Sequence, residues 1–326
     1  MRPELLHELR SSDALWILRV GRLLSECSDR FPQLAATPHY KELCSMAQEQ
    51  AAELCRIPPD AVRDQLEQIL LQPSVPAGLQ WLHDSGSLAQ VLPELHATVN
   101  FSQEAGRRHK DVWEHTKQVV WQAPARPSVR WSALLHDIGK VKTRAFTSDG
   151  KVTFHRHSEV GARMFEDIGR RFRFEKDHHR TLRFLILHHL RPNSYLPSWT
   201  DSAVRRFAKE IGPYLPDLLD LSRADITSRK PGRRQQGLTN IDTLSTRIDH
   251  IVAEDAVVPP LPSGIGDAIM DKFQMPPSRL IGDLKRELLA KIDAGEIEAR
   301  MESDYYLPFV EQMLAARAEP PRLCCE

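Results

Sequence analysis

The sequence predicts an all-α protein that contains a single β-hairpin. Along most of its 326 residues, apolar side chains recur at helical spacing, as they do in helices that bury one face. Strand-like alternation is confined to a stretch around Asp149-Gly150, a dipeptide typical of tight hairpin turns. No Gly-rich phosphate-binding loop interrupts the helical pattern.

The composition is that of an ordinary soluble protein, with 41% hydrophobic and 27% charged residues and a net charge of zero. Any attraction to nucleic acid must therefore be local. No apolar run is long enough to cross a bilayer, and the N-terminus lacks the apolar core of a signal peptide. The five cysteines lack zinc-ligand spacing. We therefore expect a cytoplasmic protein without membrane association; the sequence does not indicate its oligomeric state.

Three helical modules are predicted. Residues 1–105 have amphipathic helices and no strand pattern, with Asp60 as a candidate helix N-cap. Residues 106–245 hold the hairpin and most of the histidines, since nine of the fourteen lie between His109 and His189. Residues 246–326 begin with a Pro-rich link and continue as short helices.

An adjacent imidazole and carboxylate lie at the centre of the second module. Leu134, Leu135 and Ile138 form an apolar strip at helical spacing, which contains the pair His136-Asp137 and is closed by Gly139. Burying two such groups without a partner is costly. A divalent metal is a suitable partner, because imidazole and carboxylate are both good ligands for it.

Other predicted helices and helix entrances carry more potential ligands, namely His115, His157, His188, His189 and Asp225. Together with His136-Asp137 they are sufficient for one or two ions. Asp137 can bridge two ions, since its two oxygens have separate lone pairs. His188 and His189 are alternative candidates for one ligand position, because two adjacent helical residues point in different directions.

The order His115, His136-Asp137, Asp225 matches the H…HD…D pattern of the HD-domain metal-dependent phosphohydrolases. The surrounding sequence resembles the HD domain fused to bacterial CCA-adding tRNA nucleotidyltransferases. This likeness rests on the stretches around the histidine and aspartate positions: 111–116, 134–140, 157–162, 189–192 and 222–225. Residues 57–95 and 261–297 resemble the RNA-binding and tail segments of the same family, so the fold class implied is an HD-domain helical bundle flanked by helical modules.

The resemblance implies phosphatase or 2′,3′-cyclic phosphodiesterase activity on nucleotides or on RNA or tRNA ends, in which a metal-held hydroxide attacks phosphorus in line. His157 and His189 lie where two-metal HD enzymes place additional ligands. The mixed N and O donors suit Mn, Ni, Co, Fe or Zn better than Mg alone. A nucleotidyltransferase head needs a Gly-rich strand-turn and paired carboxylates, and the sequence has no such motif, so we do not expect CCA addition.

Several cations are candidate phosphate contacts. Lys140 and Arg191 follow the ligand motifs closely, although a lysine at a helix end can instead satisfy backbone carbonyls. His155 is a weaker candidate. The basic runs 170–176 and 223–234 are either RNA-backbone contacts or solvated charges. Three residues that precede His115 are candidates for lining the entrance to the site. Those three residues are Arg107, Arg108 and Lys110.

Two alternatives remain. One is an RNA- or tRNA-binding module in which the HD metal site is structural or vestigial. The other is a hydrolase of cyclic dinucleotides or ppGpp, although the additional motifs expected for that class are missing.

Overall fold

The computed structural model describes residues 13–26, 31–102, 111–148, 151–228, 230–257 and 259–318. Of the described residues, 74% are helical, and they form one sheet, of two strands. The predicted all-α fold with one hairpin is therefore confirmed. Among the described residues, no helix combines the length and apolarity that a membrane span requires.

The chain divides into two compact units. The first contains Met1–Ser194 and Pro213–Ile241, and the second contains Tyr195–Gly212 and Asp242–Glu326. The predicted module boundaries near residues 105 and 245 stay a prediction.

Short helices form the first part of unit 1. They are α1 (Leu15–Glu26), α2 (Phe31–Ala35), α3 (Pro38–Gln50), a 3-10 turn (Ala51–Arg56), α4 (Pro59–Leu70), α5 (Val75–Asp84), α6 (Ser87–Val91) and α7 (Pro93–His96). Helices α1 and α5 pack closely, because Gly78 leaves room where a Cβ would overlap Ser25. The indole N–H of the buried Trp81 donates to the carbonyl of Ile17 across this contact, at 2.7 Å.

The histidine-rich part continues unit 1. Its elements are α8 (Val112–Gln122), α9 (Pro127–Leu135), α10 (Lys140–Thr143), β1 (Ala145–Phe146), β2 (Val152–Thr153), α11 (His157–Arg171) and α12 (Lys176–His188). Helix α9 is central, since it contacts α4, α8 and α12 and every residue from Val129 to Leu135 is buried. The hairpin pairs Ala145 with Thr153. Asp149 and Gly150, the predicted turn, lie outside the described residues.

The rest of the described chain contains two 3-10 turns (Pro192–Ser194 and Gly212–Tyr214) and six α-helices: α13 (Asp201–Ile211), α14 (Leu215–Asp225), α15 (Pro231–Val257), α16 (Ile265–Phe273), α17 (Arg279–Ala294) and α18 (Ser303–Ala318). Helix α14 belongs to unit 1 and packs against α8 and α9. In unit 2, α16, α17 and α18 share one apolar core, in which Ile269, Leu288 and Val310 are fully buried.

The pair His136-Asp137 lies just beyond helix α9, not inside a continuous helix as the sequence suggested. Helix α9 ends at Leu135, a turn follows, and α10 begins at Lys140. Two adjacent side chains on a regular helix point about 100° apart, so leaving the helix allows both to be aimed at one point.

Gly139 holds this turn directly against α11. A Cβ at residue 139 would overlap the His157 carbonyl oxygen and lie 2.6 Å from the Gly161 backbone nitrogen. Both obstacles are main-chain atoms, so only a backbone shift could accommodate a side chain. The absence of a Cβ therefore sets the separation of the segments that carry Asp137 and His157.

Gly139→Ala is expected to lower the free energy of unfolding by about 1–3 kcal/mol, the usual cost of forcing extra atoms into a packed contact. Gly232→Ala is the matched control, since no heavy atom lies within 4 Å of its added Cβ. It is expected to be neutral or slightly stabilising. Urea denaturation followed by circular dichroism measures both variants, and equal stabilities would contradict the packing argument.

Candidate metal centre

Five segments of unit 1 bring potential metal ligands together. His115 lies in the first turn of α8, which Asp111 caps by accepting a hydrogen bond from the Glu114 N–H at 3.1 Å. Two ligand histidines lie immediately after helices, His136 after α9 and His189 after α12. The remaining positions are Asp137, His157 at the start of α11 and Asp225 at the end of α14.

One group of ligand atoms consists of His115, His136 and Asp225. The Nε2 atoms of the two histidines lie 3.2 Å apart. Asp225 Oδ1 lies 3.1 Å from the His115 Nε2 and 3.5 Å from the His136 Nε2. Asp137 Oδ2 also faces this group, at 3.4 Å from His115 and 3.2 Å from His136.

A second group consists of Asp137, His157 and His189. The His157 Nε2 lies 3.4 Å from Asp137 Oδ1 and 3.3 Å from the His189 Nε2. Asp137 therefore presents one oxygen to each group. It is also almost completely buried, with 2% of its surface exposed.

Backbone carbonyls fix the tautomers of three of the four histidines. The Nδ1 atoms of His136, His157 and His189 lie 2.8, 2.9 and 2.8 Å from the carbonyl oxygens of Ala133, Phe154 and Ile186, respectively. A carbonyl oxygen can only accept, so each Nδ1 carries a proton. The Nε2 atoms are thereby directed at the shared centre.

Predicted residues outside the two groups have other surroundings. The described residues do not bring His188 into either group: its ring packs against Phe184, with centroids 4.4 Å apart. The Lys140 ammonium donates to Asp137 Oδ2 at 2.6 Å, so this cation reaches the centre. Arg191 is half-buried just after His189, and its backbone N–H donates to the His188 carbonyl.

Several cations of the basic runs pair with acids of unit 1. Arg171 forms two hydrogen bonds with Glu94, and Arg170 pairs with Asp167. Arg223 pairs with Asp220. His155 is exposed. Arg107, Arg108, Lys110 and Arg229 lie outside the described residues.

The two carboxylates control the protonation of the first group. Burial by itself raises the pKa of Asp137, but the adjacent His136 and Lys140 cations hold it well below its usual range. The pKa of Asp225 is likewise well below its usual range, because hydrogen bonds from His115 and His136 outweigh the effect of burial. Burial lowers the pKa of His136, yet the attraction of Asp137 and Asp225 raises it to about 10.

In the second group, the pKa values of the histidines are lowered. Burial, reinforced by the charge on His136, lowers the pKa of His189 to about 4. Burial also lowers the pKa of His157. These two imidazoles are therefore neutral at pH 7, which is the state in which histidine binds a metal.

Sequence inspection missed the groups that orient the ligands. The Thr227 hydroxyl lies 2.9 Å from the His115 Nδ1, and Thr227 is only two positions after Asp225. This closeness to Asp225 in the sequence was the signal that could have identified Thr227. The carbonyls that accept from Nδ1 have no side-chain signal, but each belongs to the residue three positions before its histidine.

His189 is expected to make the metal-free protein sensitive to acid. Its folded-state pKa lies below the ordinary value of 6.5, so protonation below that pH favours the unfolded chain. Between pH 7 and 4.5, the wild-type protein in EDTA is expected to lose roughly 2–3 kcal/mol more unfolding free energy than His189→Gln does. Urea titrations at both pH values measure this, and equal losses would show that His189 titrates normally.

Comparison with known proteins agrees with the site geometry. The family model described as "HD domain" matches residues 103–230, a range that includes every residue of the two ligand groups. HD domains form a superfamily of metal-dependent phosphohydrolases.

Curated relatives extend the match beyond this domain. An A-adding tRNA nucleotidyltransferase of Deinococcus radiodurans is 31% identical over 251 residues, which cover 75% of this chain and 56% of the relative. A CC-adding tRNA nucleotidyltransferase of Thermus thermophilus is 36% identical over 172 residues, covering 51% of this chain and 38% of the relative. A multifunctional CCA protein of Pseudomonas aeruginosa is 29% identical over 200 residues, which cover 57% of this chain and 47% of the relative.

The chain thus spans about half the length of the curated relatives it matches. Its ligand groups and its sequence lead to the same assignment: the chain contains an HD domain over residues 103–230 and is similar to part of the CCA-adding tRNA nucleotidyltransferases.

Proposed function

We propose that this protein is a metal-dependent phosphohydrolase, a phosphomonoesterase or 2′,3′-cyclic phosphodiesterase, that acts on nucleotides or RNA ends. One observation carries the proposal. Four imidazole nitrogens and two carboxylates converge in two groups that share the buried Asp137.

The spacing of these atoms fits metal coordination. Two atoms that bind one ion at about 2.0–2.2 Å lie roughly 2.8–3.6 Å apart at octahedral or tetrahedral angles. The measured separations in the first group are 3.1–3.5 Å. In the second group, His157 lies 3.4 Å from Asp137 and 3.3 Å from His189.

The charges also favour a bound cation. In the second group, the Nε2 lone pairs of the neutral His157 and His189 repel one another at 3.3 Å, and a cation between them turns this repulsion into attraction. The carboxylates also attract positive charge, and this attraction raises the pKa of His136 to about 10. A divalent ion would compete with that proton.

His115, His136, Asp137 and Asp225 would hold one ion, and Asp137, His157 and His189 a second. His188 is a weaker candidate because its ring packs against Phe184. Such ions, when bound, stabilise charge on a phosphoryl group and lower the pKa of water near them. The donors are imidazole nitrogens and carboxylate oxygens, which suits Mn, Ni, Co, Fe or Zn.

The chain's own residues would orient the phosphate. The Lys140 ammonium, held against Asp137 with 12% of its side chain exposed, can offer a second N–H to a phosphoryl oxygen. Arg191 is a further candidate for this role from the segment that follows His189. The hydrogen bonds from Nδ1 hold the imidazoles in place while the substrate binds.

The relatives support an RNA-related substrate, because their names refer to tRNA. A cytoplasmic location is part of the same proposal. An RNA-binding module with a structural or vestigial metal site is the alternative. Hydrolysis separates the two, since only the first requires turnover.

The metal content tests the two groups separately. The wild-type chain, loaded with Mn(II) and desalted, is expected to retain two ions by mass spectrometry of the metal. His189→Ala should retain about one, and Asp137→Ala should lose both because it removes the shared carboxylate. His250→Ala, which removes an exposed histidine of α15, should match the wild type. Unchanged metal content in Asp137→Ala would contradict the site.

Activity tests the reaction. With Mn(II) or Ni(II), the wild-type protein is expected to hydrolyse 2′,3′-cyclic AMP, 3′-AMP or bis(p-nitrophenyl) phosphate. Asp137→Ala should reduce the rate more than about a hundredfold, since even residues that merely orient a ligand cost up to that much. Asp167→Ala, an exposed acid of α11, should keep the wild-type rate.

Metal binding without turnover of any of these esters would contradict the phosphohydrolase and favour the binding module with a structural metal. A wild-type chain that binds no metal would indicate a vestigial site.

A further inference from the structure

One face of the hairpin combines aromatic rings with a cation. Side chains alternate between the two faces of a strand, and the register places Phe146 opposite Val152. Arg144, Phe146, Val152 and Phe154 therefore share a face. Phe146 is 63% exposed, an unusual position for a large apolar side chain.

The rings and cations form a continuous row that begins at the metal centre. Lys140, which donates to Asp137, lies 5.6 Å from the Phe154 ring centroid. The rings of Phe154 and Phe101 lie 6.3 Å apart. The Arg144 guanidinium then contacts Phe101 at 5.1 Å and Phe146 at 5.0 Å. We name this set, Lys140, Phe154, Phe101, Arg144 and Phe146, the aromatic row.

The surroundings of the aromatic row are basic. Between Lys140 and Arg156 the sequence has five lysines and arginines and one acid, Asp149. Lys140 pairs with Asp137 and Arg156 with Glu159, whereas among the described residues Arg144 contacts aromatic rings and no carboxylate, and Lys142 is exposed. This local charge stands out in a chain whose net charge is zero. It is complementary to a polyanion.

We propose that the aromatic row binds single-stranded nucleic acid and delivers its end to the metal centre. Bases stack on the exposed Phe146 and, nearer the centre, against Phe101 and Phe154, while Arg144 and Lys142 contact backbone phosphates. The terminal phosphate then lies beside Lys140. This inference rests on the proposed function, because it names the substrate of the same site.

The alternation of ring and cation is what selects this ligand. Single strands expose both base faces and phosphates, so one strand satisfies both kinds of group in turn. A paired duplex hides its base faces and offers phosphates alone. The row therefore favours an unpaired end over a duplex.

Fluorescence anisotropy with a labelled, unstructured eight-nucleotide RNA tests the proposal on the full chain. Phe146→Ala is expected to weaken binding about five- to 150-fold, the range for loss of one stacking contact. Phe146→Tyr, which keeps the ring, should bind like the wild type, whereas Phe146→Leu should resemble Phe146→Ala. Trp121→Ala is the matched control, since Trp121 is an exposed aromatic residue on α8, 56% exposed.

Arg144→Gln tests the backbone contact. It should reduce the slope of log Kd against log salt concentration by about 0.7 for each phosphate lost. An identical slope in Arg144→Gln would contradict the phosphate contact.

Hydrolysis of bis(p-nitrophenyl) phosphate separates this inference from the proposed function. Trp121→Ala should keep both the wild-type rate on this small ester and the wild-type RNA affinity, whereas Phe146→Ala should lose RNA affinity. If the wild type hydrolyses nothing, the binding comparison still decides the aromatic row. Wild-type RNA affinity in Phe146→Ala, or equal affinity for single-stranded and duplex RNA, would overturn it.

Discussion

The buried carboxylate of Asp137 is the group on which the rest of the site depends. Burial opposes its ionisation, and only the cations and N–H groups around it keep it charged. One oxygen faces His115, His136 and Lys140, and the other faces His157. Helices from distant parts of unit 1 must therefore end or begin at this point. The central position of α9 follows from this need, since its end delivers Asp137 to the interior.

Much of this could be predicted from the sequence, for a physical reason. Buried imidazoles and carboxylates are costly, so their accumulation among apolar residues already indicates a shared cation. The helices follow from apolar spacing and the hairpin from its turn residues. The choice between His188 and His189 could not be predicted. It depends on where α12 ends, and the end of a helix shifts by a residue or two with small changes in capping.

The features that could not be predicted from the sequence depend on tertiary packing. Phe101 and Arg144 are far apart in the chain, and neither belongs to a motif, so only the folded structure shows their contact. Thr227 is similar, because a threonine near Asp225 has many possible partners until α8 and α14 are packed together. The aromatic row and the support of His115 are consequences of packing, whereas the ligands are properties of residue type.

The contact between Gly139 and the backbone of His157 has a mechanical consequence. It joins two main-chain segments directly, with no flexible side chain between them to absorb a displacement. One segment carries His136 and Asp137, and the other carries His157. A fluctuation that separates them opens both ligand groups together, since Asp137 belongs to each. Any bound ions would be released when these two backbone segments separate. The lifetime of the metal-bound protein would therefore depend on the stability of the contact between Gly139 and His157.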